Sequence, residues 1–483
     1  MSGNFGDRLM YIDGQFVPGS DGQWIDSVNP GTEEVHGRVP VGTISDVNRA
    51  VNAAEAAQPS WAALSVWERR DVLRKLGAAM RARAAEVLPL EAADTGNTIG
   101  SLGRDVEVAA NYLDFFSGLG TEIKSDSVPA SKDGMHFSVR EPYGIVARIV
   151  PFNHPFLFAA AHLAAPLMAG NAVILKTPET SPLSGSLMGE ICREVLPPGL
   201  VNIVHGPGLP TGDALVRHPK IWRIGFTGSV QTGLAIQRSA AEVAVKHVSL
   251  ELGGKNAMIV CADADPATVA AEAVRGMNFA WAGQSCGSNS RLLLHESLYD
   301  DVVARIVAQV STIRVGDALD PASQMGPVNS AAHYRRILSF VESARHDGAK
   351  LLTGGERPPG GDFRRGYWIQ PTVYGDVTMN MRVAREEIFG PILSVLKWRT
   401  QEEAIAMANA TEYGLVSGVW THDLKVAMNF VRSLQSGFVY VNTTARHFVG
   451  TPFGGWKNSG LGREECLGEL LSYTQNKAIH IFV

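Results

Sequence analysis

The feature that most constrains the fold is an alternation of short apolar runs with helical stretches from residue 143 onward. The apolar runs are Tyr143–Pro151, Ala172–Lys176, Leu200–His205 and Arg223–Phe226. The helical patterns lie near 156–169, 181–195, 210–217 and 230–242. Strands that are apolar throughout, with no polar alternation, are typical of a parallel sheet covered by helices on both faces. The alternation therefore predicts an α/β fold.

A second set of α/β elements follows Glu251. It has helical patterns near 266–280 and 297–312 and apolar runs at Ile392–Trp398, Val416–Trp420 and Phe438–Asn442. Ahead of both sets, residues 43–92 have helical patterns, and Ser65 with Glu68 forms a capping box before a run that extends to Glu91. A chain of 483 residues with this organisation suggests three domains, or two with an appendage.

The composition excludes several classes of protein. Hydrophobic residues make up 45% of the chain and charged residues 19%, with a net charge of -5. These values exclude general disorder and offer no positive surface for nucleic acid or an anionic membrane. The longest apolar stretch, Pro155–Gly170, is interrupted by His162 and Pro166 and is shorter than the ~20 residues that a membrane span requires.

The termini and cysteines indicate a compartment. Met1–Met10 has no apolar core of the kind found in a secretory signal. Four cysteines without a CxxC pair suit a reducing cytoplasm, and no HExxH motif or Cys/His quartet is present. We therefore expect a cytoplasmic protein without a metal site.

Cys286 has neighbours that suit a reactive thiol. It lies in Gly-Gln-Ser-Cys-Gly-Ser-Asn-Ser, between a helical stretch and the apolar run Arg291–Leu294. Gly283 and Gly287 leave the backbone uncrowded, so that a substrate can approach. Cysteine is a strong nucleophile even when only a few per cent of it is ionised. Taken alone, a small residue in a tight turn explains the pattern more often.

Two further polar residues lie where strands end. Glu251, in Val-Ser-Leu-Glu-Leu-Gly-Gly-Lys, is either a solvated carboxylate or a general base that faces a cleft. Asn153, in Pro-Phe-Asn-His-Pro, follows an apolar run and precedes a helix. Its amide either closes an Asx turn or donates a hydrogen bond to a developing oxyanion.

Two segments have features of a dinucleotide site. Arg223–Ser229 has the pattern of a strand, a tight turn and a helix start, where N–H groups and a hydroxyl can bind a pyrophosphate. Lys176 and Glu179, at the end of another strand, offer an ammonium and a carboxylate for a ribose. Neither segment matches GxGxxG, so each is a weak signal by itself.

The order of the motifs is more specific than any one of them. Along the chain stand Pro-Phe-Asn-His-Pro, Lys-Thr-Pro-Glu, Gly-Phe-Thr-Gly-Ser, Glu-Leu-Gly-Gly-Lys, Gly-Gln-Ser-Cys, Glu-Glu-Ile-Phe-Gly-Pro from residue 386, and Pro-Phe-Gly-Gly-Trp-Lys-Asn-Ser-Gly-Leu-Gly-Arg-Glu from residue 452. This series, with the spacing from Glu251 to Cys286, resembles the NAD(P)-dependent aldehyde dehydrogenase superfamily. The resemblance is to the hydrolytic, non-CoA-acylating type and extends along essentially the whole chain.

The resemblance implies a reaction at three residues. Cys286 attacks the aldehyde carbon to form a thiohemiacetal, and the Asn153 amide with the Cys286 backbone N–H holds its oxyanion. Hydride transfer to the nicotinamide leaves a thioester on Cys286. Water activated by Glu251 hydrolyses this thioester and releases a carboxylic acid.

The resemblance also implies a site for NAD. It assigns Lys176 and Glu179 to the adenosine ribose, Ser229 to the pyrophosphate, and Glu387 with Phe389 to the nicotinamide ribose and ring. The other predicted contacts are Pro151, Phe152, Gly228 and Leu252. A carboxylate at Glu179 accepts hydrogen bonds from ribose hydroxyls but repels a 2′-phosphate, so NAD is expected over NADP.

Departures from the family pattern concern the substrate pocket. The predicted lining is His154, Phe158, Ala161, Ser285, His447 and Phe453. Ala280 and His447 stand where the betaine-aldehyde enzymes carry aromatic residues, whose faces a quaternary ammonium group requires. Ala161 leaves room, and Phe158, Phe448 and Phe453 supply apolar walls. We expect a bulky, neutral or weakly polar aldehyde, aromatic aldehydes included; Arg446 is the candidate partner for a substrate carboxylate.

Three other functions are compatible with parts of this set. A CoA-acylating semialdehyde dehydrogenase transfers the acyl group to CoA, but those relatives lack the glutamate at the position of Glu251. A cysteine esterase without redox chemistry would leave Lys176 and Glu387 without a purpose. A non-catalytic oligomeric scaffold would leave the whole set of reactive residues idle.

The resemblance finally implies the domain organisation. A Rossmann-like NAD-binding domain is predicted over 1–122 and 141–252, and an α/β catalytic domain over 253–440. Residues 123–140 and 468–483 are predicted to form an oligomerisation β-arm and tail that pair between subunits. This predicts a homodimer or homotetramer that acts on a small aldehyde, with no nucleic-acid or membrane partner.

Overall fold

In the computed structural model, residues 5–482 of the chain are described; residues 1–4 and 483, predicted to belong to the NAD-binding domain and the tail, lie outside this range. The strands are β1 Gly6–Asp7, β2 Met10–Ile12, β3 Gln15–Val17, β4 Trp24–Asn29, β5 Glu34–Pro40, β6 Ser127–Ser131, β7 Gly134–Pro142, β8 Ile145–Ile149, β9 Ala172–Lys176, β10 Val201–Val204, β11 Ile221–Thr227, β12 His247–Glu251, β13 Ala257–Val260, β14 Arg291–His295, β15 Lys350–Thr353, β16 Thr372–Gly375, β17 Ile392–Trp398, β18 Tyr413–Gly414, β19 Val416–Trp420, β20 Phe438–Val441, β21 Trp456–Lys457, β22 Gly460–Leu461 and β23 Thr474–Phe482.

The helices cover both the amino-terminal region and the segments between strands. They are α1 Ile44–Ala62, α2 Val66–Ala82, α3 Ala84–Thr95, α4 Ile99–Leu102, α5 Asp105–Gly118, α6 Pro155–Met168, α7 Leu183–Val195, α8 Asp213–Arg217, α9 Val230–Ala241, α10 Pro266–Gly276, α11 Tyr299–Val310, α12 Ala331–His346, α13 Arg382–Arg385, α14 Gln401–Asn409, α15 Leu424–Ser433 and α16 Leu467–Ser472. Within residues 5–482, none of these helices combines the length and the apolar character needed to cross a membrane.

The larger of the two main sheets has eight strands in the order β22-β12-β11-β8-β9-β10-β2-β3. Its five central strands are parallel, and short antiparallel strands close both edges. From β8 the sheet first extends to one side through β9 and then β10. The next strands, β11 and β12, lie on the other side of β8. The chain therefore reverses its direction of growth between β8 and β11, where open α/β sheets commonly bind their ligands.

The second main sheet has seven strands in the order β15-β16-β17-β14-β13-β19-β20, all parallel except β15. Alternate residues of its central strands enter two separate cores. Ile259 and Leu293 pack in one core, whereas Met258 and Leu292 pack in the other. Because helices cover both faces, both sets of side chains are apolar, which confirms the α/β fold and explains the uninterrupted apolar runs.

The amino-terminal helices form where the sequence provides caps. Thr43 and Asp46 make a capping box at the start of α1, and Ser65 with Glu68 makes the predicted one at the start of α2. The run expected to extend from there to Glu91 is divided, because α2 ends and α3 begins at Arg83, whose φ of -102° and ψ of 10° are not helical.

The carboxy-terminal strand has its partner in the same chain. β23 pairs antiparallel with β7 from Thr474 opposite Pro142 to Phe482 opposite Gly134, and β6 pairs with the other edge of β7. β23 and β6 are the outer strands of this three-stranded sheet, and the expectation that the tail and the β-arm pair between subunits stays a prediction. An extended tail needs a hydrogen-bonding edge, and β7, which continues beyond residue 140 to Pro142, provides it within the chain.

Candidate active site

The carboxyl ends of four parallel strands form one edge of the larger sheet. Lys176 of β9 lies opposite Ile149 of β8, and Thr227 of β11 lies opposite Glu251 of β12. Ile149 in turn lies opposite Phe226, the residue before Thr227. The motifs at Asn153, Lys176, Ser229 and Glu251 therefore follow strands that end side by side, at the point where the direction of the sheet reverses.

Lys176 and Glu179 differ in exposure. Lys176 is buried, its Nζ donates a hydrogen bond to the Thr177 carbonyl over 3.0 Å, and burial lowers its pKa to about 8. Glu179 is exposed three residues later. A ribose lying between them would meet a partly desolvated ammonium on one side and a hydrated carboxylate on the other.

The turn at Gly228 and Ser229 begins α9. Ser229 Oγ accepts a hydrogen bond from Thr232 N over 3.2 Å as the helix cap, and the side chain is exposed. Gly228 N donates to the Glu251 carbonyl over 3.0 Å, which ties this turn to the end of β12. Leu252 is buried against Gly233 of α9. The start of α9 is thus exposed to solvent at Ser229, as a phosphate site requires.

Glu387 and Phe389 are brought to the same edge from the second sheet. Glu387 Oε1 accepts a hydrogen bond from Gly254 N over 2.9 Å, and a Cβ at Gly253 would collide with the carboxylate. Burial raises the pKa of Glu387 to about 7. Phe389 has a φ of 58°, in the left-handed region, and its ring lies 5.7 Å from that of Phe152. Phe152 and Pro151 are half-buried beside it.

Cys286 lies on the other side of the glycine pair. Its carbonyl accepts a hydrogen bond from Asn256 Nδ2 over 2.7 Å, and a Cβ at Gly254 would lie 3.2 Å from the same oxygen. The half-buried Cys286 packs against the apolar cluster that Leu415, Val416, Tyr440 and Phe453 form. Burial, with the charges of Glu387 and Glu251, raises the pKa of the thiol to about 12.

Glu251 is buried and its carboxylate has no partner. Both Oε1 and Oε2 lack a hydrogen bond within the described residues, and the residue is 6% exposed. Burial and the neighbouring charge of Glu464 raise its pKa well above the ordinary value. A Cβ at Gly454 would lie 2.8 Å from Glu251 Oε1, so the glycine after Phe453 leaves room for this carboxylate.

A buried charged cluster lies behind Glu251. Glu464 Oε1 accepts a hydrogen bond from Arg148 Nη2 over 2.8 Å, and His162 Nδ1 lies 3.9 Å from the same oxygen. Burial disfavours ionisation of Glu464, but His162 and Arg148 hold its pKa below the ordinary value. Donor atoms of His162, Glu464 and Glu469 lie within 4.8 Å of one another, yet the guanidinium of Arg148 already bonds to Glu464.

Asn153 is buried at the start of α6 with its amide directed at the loop of Cys286. Its Nδ2 donates a hydrogen bond to the Gln284 carbonyl over 3.1 Å, two residues before Cys286. Its own carbonyl accepts from Asn97 Nδ2 over 2.7 Å. The amide is therefore beside the thiol-bearing loop and not engaged in an Asx turn.

The predicted pocket residues occupy two groups. Phe158 stacks on His162 with ring centres 5.3 Å apart, one turn from the buried Ala161. Phe453 lies 4.7 Å from the ring of His447 and belongs to the apolar cluster against which Cys286 packs, next to the half-buried Ser285. Phe448, by contrast, is 75% exposed.

Both histidines of the predicted pocket are bonded to buried acids. His154 Nδ1 pairs with Asp105 Oδ2 over 2.7 Å, and His447 Nδ1 pairs with Glu465 Oε1 over 2.9 Å. Burial opposes protonation of His447, but the bond to Glu465 raises its pKa.

The sequence patterns did not predict Asp105, Glu465, Asn256 or Trp281 as parts of the site. Asp105 begins a helix 49 positions before His154, and Asn256 lies 30 positions before Cys286. An acid at a helix start and an asparagine before a strand are common in any fold, so no local signal distinguishes them.

Comparison with known proteins assigns almost the whole chain to one protein family. The model of the aldehyde dehydrogenase family matches residues 16–479. The chain is 43% identical over 476 residues to the aldehyde dehydrogenase tropH of Talaromyces stipitatus, which covers 95% of this chain and 92% of that protein.

Two solved structures with bound cofactor have the same fold. The NAD+ complex of an aldehyde dehydrogenase from Bacillus cereus is 34% identical, with a TM-score of 0.95, and the match covers 99% of this chain and 97% of that one. PnpE, from Pseudomonas sp. WBC-3, in complex with nicotinamide adenine dinucleotide is 37% identical, with a TM-score of 0.96, covering 99% and 98% of the two chains.

Proposed function

The chain belongs to the aldehyde dehydrogenase family and is an NAD-dependent enzyme of that family, and from this premise we propose how its residues oxidise an aldehyde to a carboxylic acid. The observation that supports the proposal most directly is that two glycine-containing segments lie beside both Cys286 and the carboxylates. Gly253-Gly254 lies between Cys286 and Glu387, and Phe453-Gly454 lies between Cys286 and Glu251.

The first step is addition of the Cys286 sulfur to the aldehyde carbon. The oxyanion of the thiohemiacetal is bound by the Asn153 amide and the Cys286 backbone N–H. The amide, 3.1 Å from the Gln284 carbonyl, is already directed at this loop and needs only a local shift to reach the new oxygen. The raised pKa keeps the thiol protonated in the free enzyme, so its proton must leave as the carbon–sulfur bond forms. The carboxylate of Glu251, which has no hydrogen-bond partner among residues 5–482, accepts this proton and passes it to solvent before hydrolysis.

The residues at the sheet edge fit NAD. Lys176 and Glu179 would hold the adenosine ribose, and the helix start at Ser229 would face the pyrophosphate. The buried Glu387, with Phe389 behind it, would bind the nicotinamide ribose and position the ring beside Cys286, with Gly228, Leu252, Pro151 and Phe152 completing the contacts. When bound, NAD supplies the hydride acceptor that the side chains lack.

The last step is hydrolysis of the thioester on Cys286. Glu251 removes a proton from the attacking water, and both of its oxygens are free to do so. Its raised pKa makes it a stronger base than an exposed glutamate once it is ionised. A thioester suits this step because it is more readily hydrolysed than an ester or amide.

The proposed substrate is a bulky, neutral or weakly polar aldehyde, with aromatic aldehydes included. Ala161 and Ala280 leave space, while Phe158 and Phe453 supply aromatic faces. A cavity of about 360 Å³ has a lining that includes Ala280 and Trp281. A betaine aldehyde is disfavoured because two of the aromatic faces that would enclose its ammonium group are replaced.

The assembly and location are also proposals. The predicted division into an NAD-binding domain, a catalytic domain and an arm with its tail agrees in outline with the two main sheets and the β6-β7-β23 sheet. The exposed side chains Val128, Met135 and Phe482 on that small sheet favour a homo-oligomer. The four free cysteines suit a cytoplasmic location.

Replacement of the nucleophile tests the proposal. In Cys286→Ala, NADH formation from benzaldehyde should be lost, and the covalent adduct that mass spectrometry detects on the wild-type protein should be absent. Cys261→Ala, at the end of β13, is the matched control and should retain both signals. Undiminished oxidation by Cys286→Ala would overturn the mechanism. If NADH formation by the wild-type enzyme required added CoA, the acylating alternative would be favoured.

A further inference from the structure

His154, a predicted pocket residue, has an unused hydrogen-bond acceptor. Asp105 Oδ2 lies 2.7 Å from His154 Nδ1, and both residues are 8% exposed. The Asp105 carboxylate accepts from Nδ1–H, and in the imidazole tautomer that this bond favours, the lone pair is at Nε2. Among residues 5–482, no hydrogen bond engages that atom. The Asp105–His154 pair therefore offers an oriented acceptor one residue after Asn153.

Trp281 supplies an unused donor next to this acceptor. Its indole ring meets the His154 ring edge-on, with ring centres 4.7 Å apart. Its Nε1 is buried and has no hydrogen-bond partner in the part of the chain that the structure describes. A buried N–H without an acceptor costs free energy, so such a group in a pocket wall indicates that a ligand atom satisfies it.

The turn that carries Trp281 is held in an unfavourable conformation. Asn278 and Ala282, which flank the short helical turn Phe279–Trp281, have φ of 57° and 50°, in the left-handed region. Asn278 Nδ2 donates a hydrogen bond to Ser288 Oγ over 3.2 Å, which anchors the turn to the loop after Cys286. Strained residues of this kind persist when the surroundings fix them, and they cluster at ligand sites.

A hydroxyl group is the chemical group that satisfies both atoms at once. Its hydrogen can be donated to His154 Nε2, and its oxygen can accept from Trp281 Nε1–H. We propose that His154 and Trp281 recognise a hydroxyl group on the substrate, and that the substrates are hydroxylated aromatic aldehydes. This inference rests on the proposed function and narrows its substrate class.

The surroundings of the pair favour an aromatic carrier for this hydroxyl. Trp281 lines the cavity of about 360 Å³, a volume in the range of small-molecule sites. The ring of Phe158 lies 6.4 Å from that of His154, in an edge-to-face arrangement. A substrate ring can therefore lie among aromatic side chains while its hydroxyl reaches the polar pair.

The experiment compares three aldehydes that differ at one position. Benzaldehyde has no substituent, a methoxybenzaldehyde can accept but not donate a hydrogen bond, and the corresponding hydroxybenzaldehyde can do both. With wild-type enzyme and NAD, we expect kcat/KM for the hydroxy compound, tested at the meta and para positions, to exceed that for the methoxy compound by about tenfold or more. Each variant is then judged by this ratio, so that a general loss of activity does not affect the result.

Three variants separate the two contacts. His154→Phe and Asp105→Asn should each bring the hydroxy-to-methoxy ratio close to one, because they remove or misorient the acceptor. Trp281→Phe keeps an aromatic ring but removes the N–H, so it should lower kcat/KM for both substituted aldehydes relative to benzaldehyde. A general packing defect would lower all three aldehydes together and leave both ratios unchanged.

The outcomes distinguish this inference from the proposed function. If wild-type enzyme oxidises benzaldehyde but the hydroxy-to-methoxy ratio is near one at both positions, the hydroxyl site is disproved while the dehydrogenase mechanism stands. If His447→Phe abolishes the ratio and His154→Phe does not, the hydroxyl is bound on the opposite wall and the proposal is overturned. If no aldehyde in a broad panel is oxidised with NAD, the proposed function itself fails.

Discussion

The carboxylates in the buried centre of the site differ in burial and in pKa from the carboxylate on its exposed rim. Glu251 and Glu387 in the centre are buried, and their pKa values are raised above the ordinary range. Glu179 and Ser229 on the rim are exposed to solvent, although they follow strands of the same sheet. A carboxylate in the centre is therefore suited to proton transfer, whereas one on the rim is suited to selecting the charge of a ligand.

The difference arises from what covers each strand end. The loop from Phe453 to Glu464 lies over β12, and β22 pairs with that strand, so Glu251 is desolvated. The ends of β9 and β11 open to solvent at Glu179 and Ser229, where a dinucleotide can enter. Burial of one end and exposure of another thus divide one sheet edge into the part proposed for catalysis and the part proposed for cofactor recognition.

The largest expected effect is at the centre. Glu251→Gln should lower steady-state aldehyde oxidation by about 10²–10⁴-fold, because the water that attacks the thioester loses its general base. Mass spectrometry of the variant after mixing with NAD and aldehyde should show an accumulated acyl adduct on Cys286. Glu402→Gln, an exposed carboxylate of α14, is the matched control and should behave as the wild type. Full turnover by the Glu251 variant would remove this residue from the mechanism.

An ion pair in the buried charged cluster behind Glu251 should contribute more to the free energy of unfolding than an ion pair on the surface. Arg148→Met leaves Glu464 buried without its guanidinium partner and should lower the free energy of unfolding by about 3–5 kcal/mol. Arg305→Met, which removes an ion pair of 2.7 Å with Asp301 on the surface, should cost about 0–1 kcal/mol. Chemical denaturation of both variants measures the contrast; equal losses would show that burial does not separate the two pairs.

The pH dependence of deacylation follows from the pKa of Glu251. Burial and Glu464 raise this pKa, so the protonated form, which cannot act as a base, persists to higher pH than in an exposed glutamate. The rate of thioester hydrolysis should therefore increase with pH, by about tenfold per unit below the raised pKa. Single-turnover measurements across neutral pH test the sign. A rate that falls with rising pH would contradict it.

The smallest expected effect is on the rim. Glu179→Gln removes the charge that repels a 2′-phosphate but keeps a hydrogen-bonding oxygen for the ribose. The ratio of kcat/KM for NAD over NADP should fall by about tenfold, since solvent screens an exposed charge. Steady-state kinetics with both cofactors measure this ratio. An unchanged ratio would show that the rim carboxylate does not select the cofactor.

Much of the fold and of the site was accessible from local patterns. The predicted helix near 230–242 is observed as Val230–Ala241, and the predicted strand Val416–Trp420 is observed unchanged. The residues Cys286, Glu251 and Asn153 were identified from ordered motifs. The predictions of helices and strands succeed because apolar runs, caps and glycine turns act over a few residues, where the chain itself specifies the conformation. The roles of the three site residues stay predictions.

Other features required contacts between distant residues. The helical run expected to reach Glu91 is divided at Arg83, whose side chain bonds to Glu190 over 2.7 Å, 107 positions away. One edge of the tail strand pairs with β7 of its own chain, and pairing with another subunit stays a prediction. The pairs Asp105–His154 and Glu465–His447 likewise have no signature in sequence spacing.

The sequence by itself determined the α/β architecture, the order of the motifs and the family, and from these came the predicted nucleophile, base and amide. Only the tertiary structure decided which carboxylates are desolvated, which histidines are fixed by acids and where an indole N–H is left without a partner. The physical reason is that reactivity and recognition depend on local dielectric and hydrogen-bond geometry. Both are set by residues that are distant along the chain and adjacent only after folding.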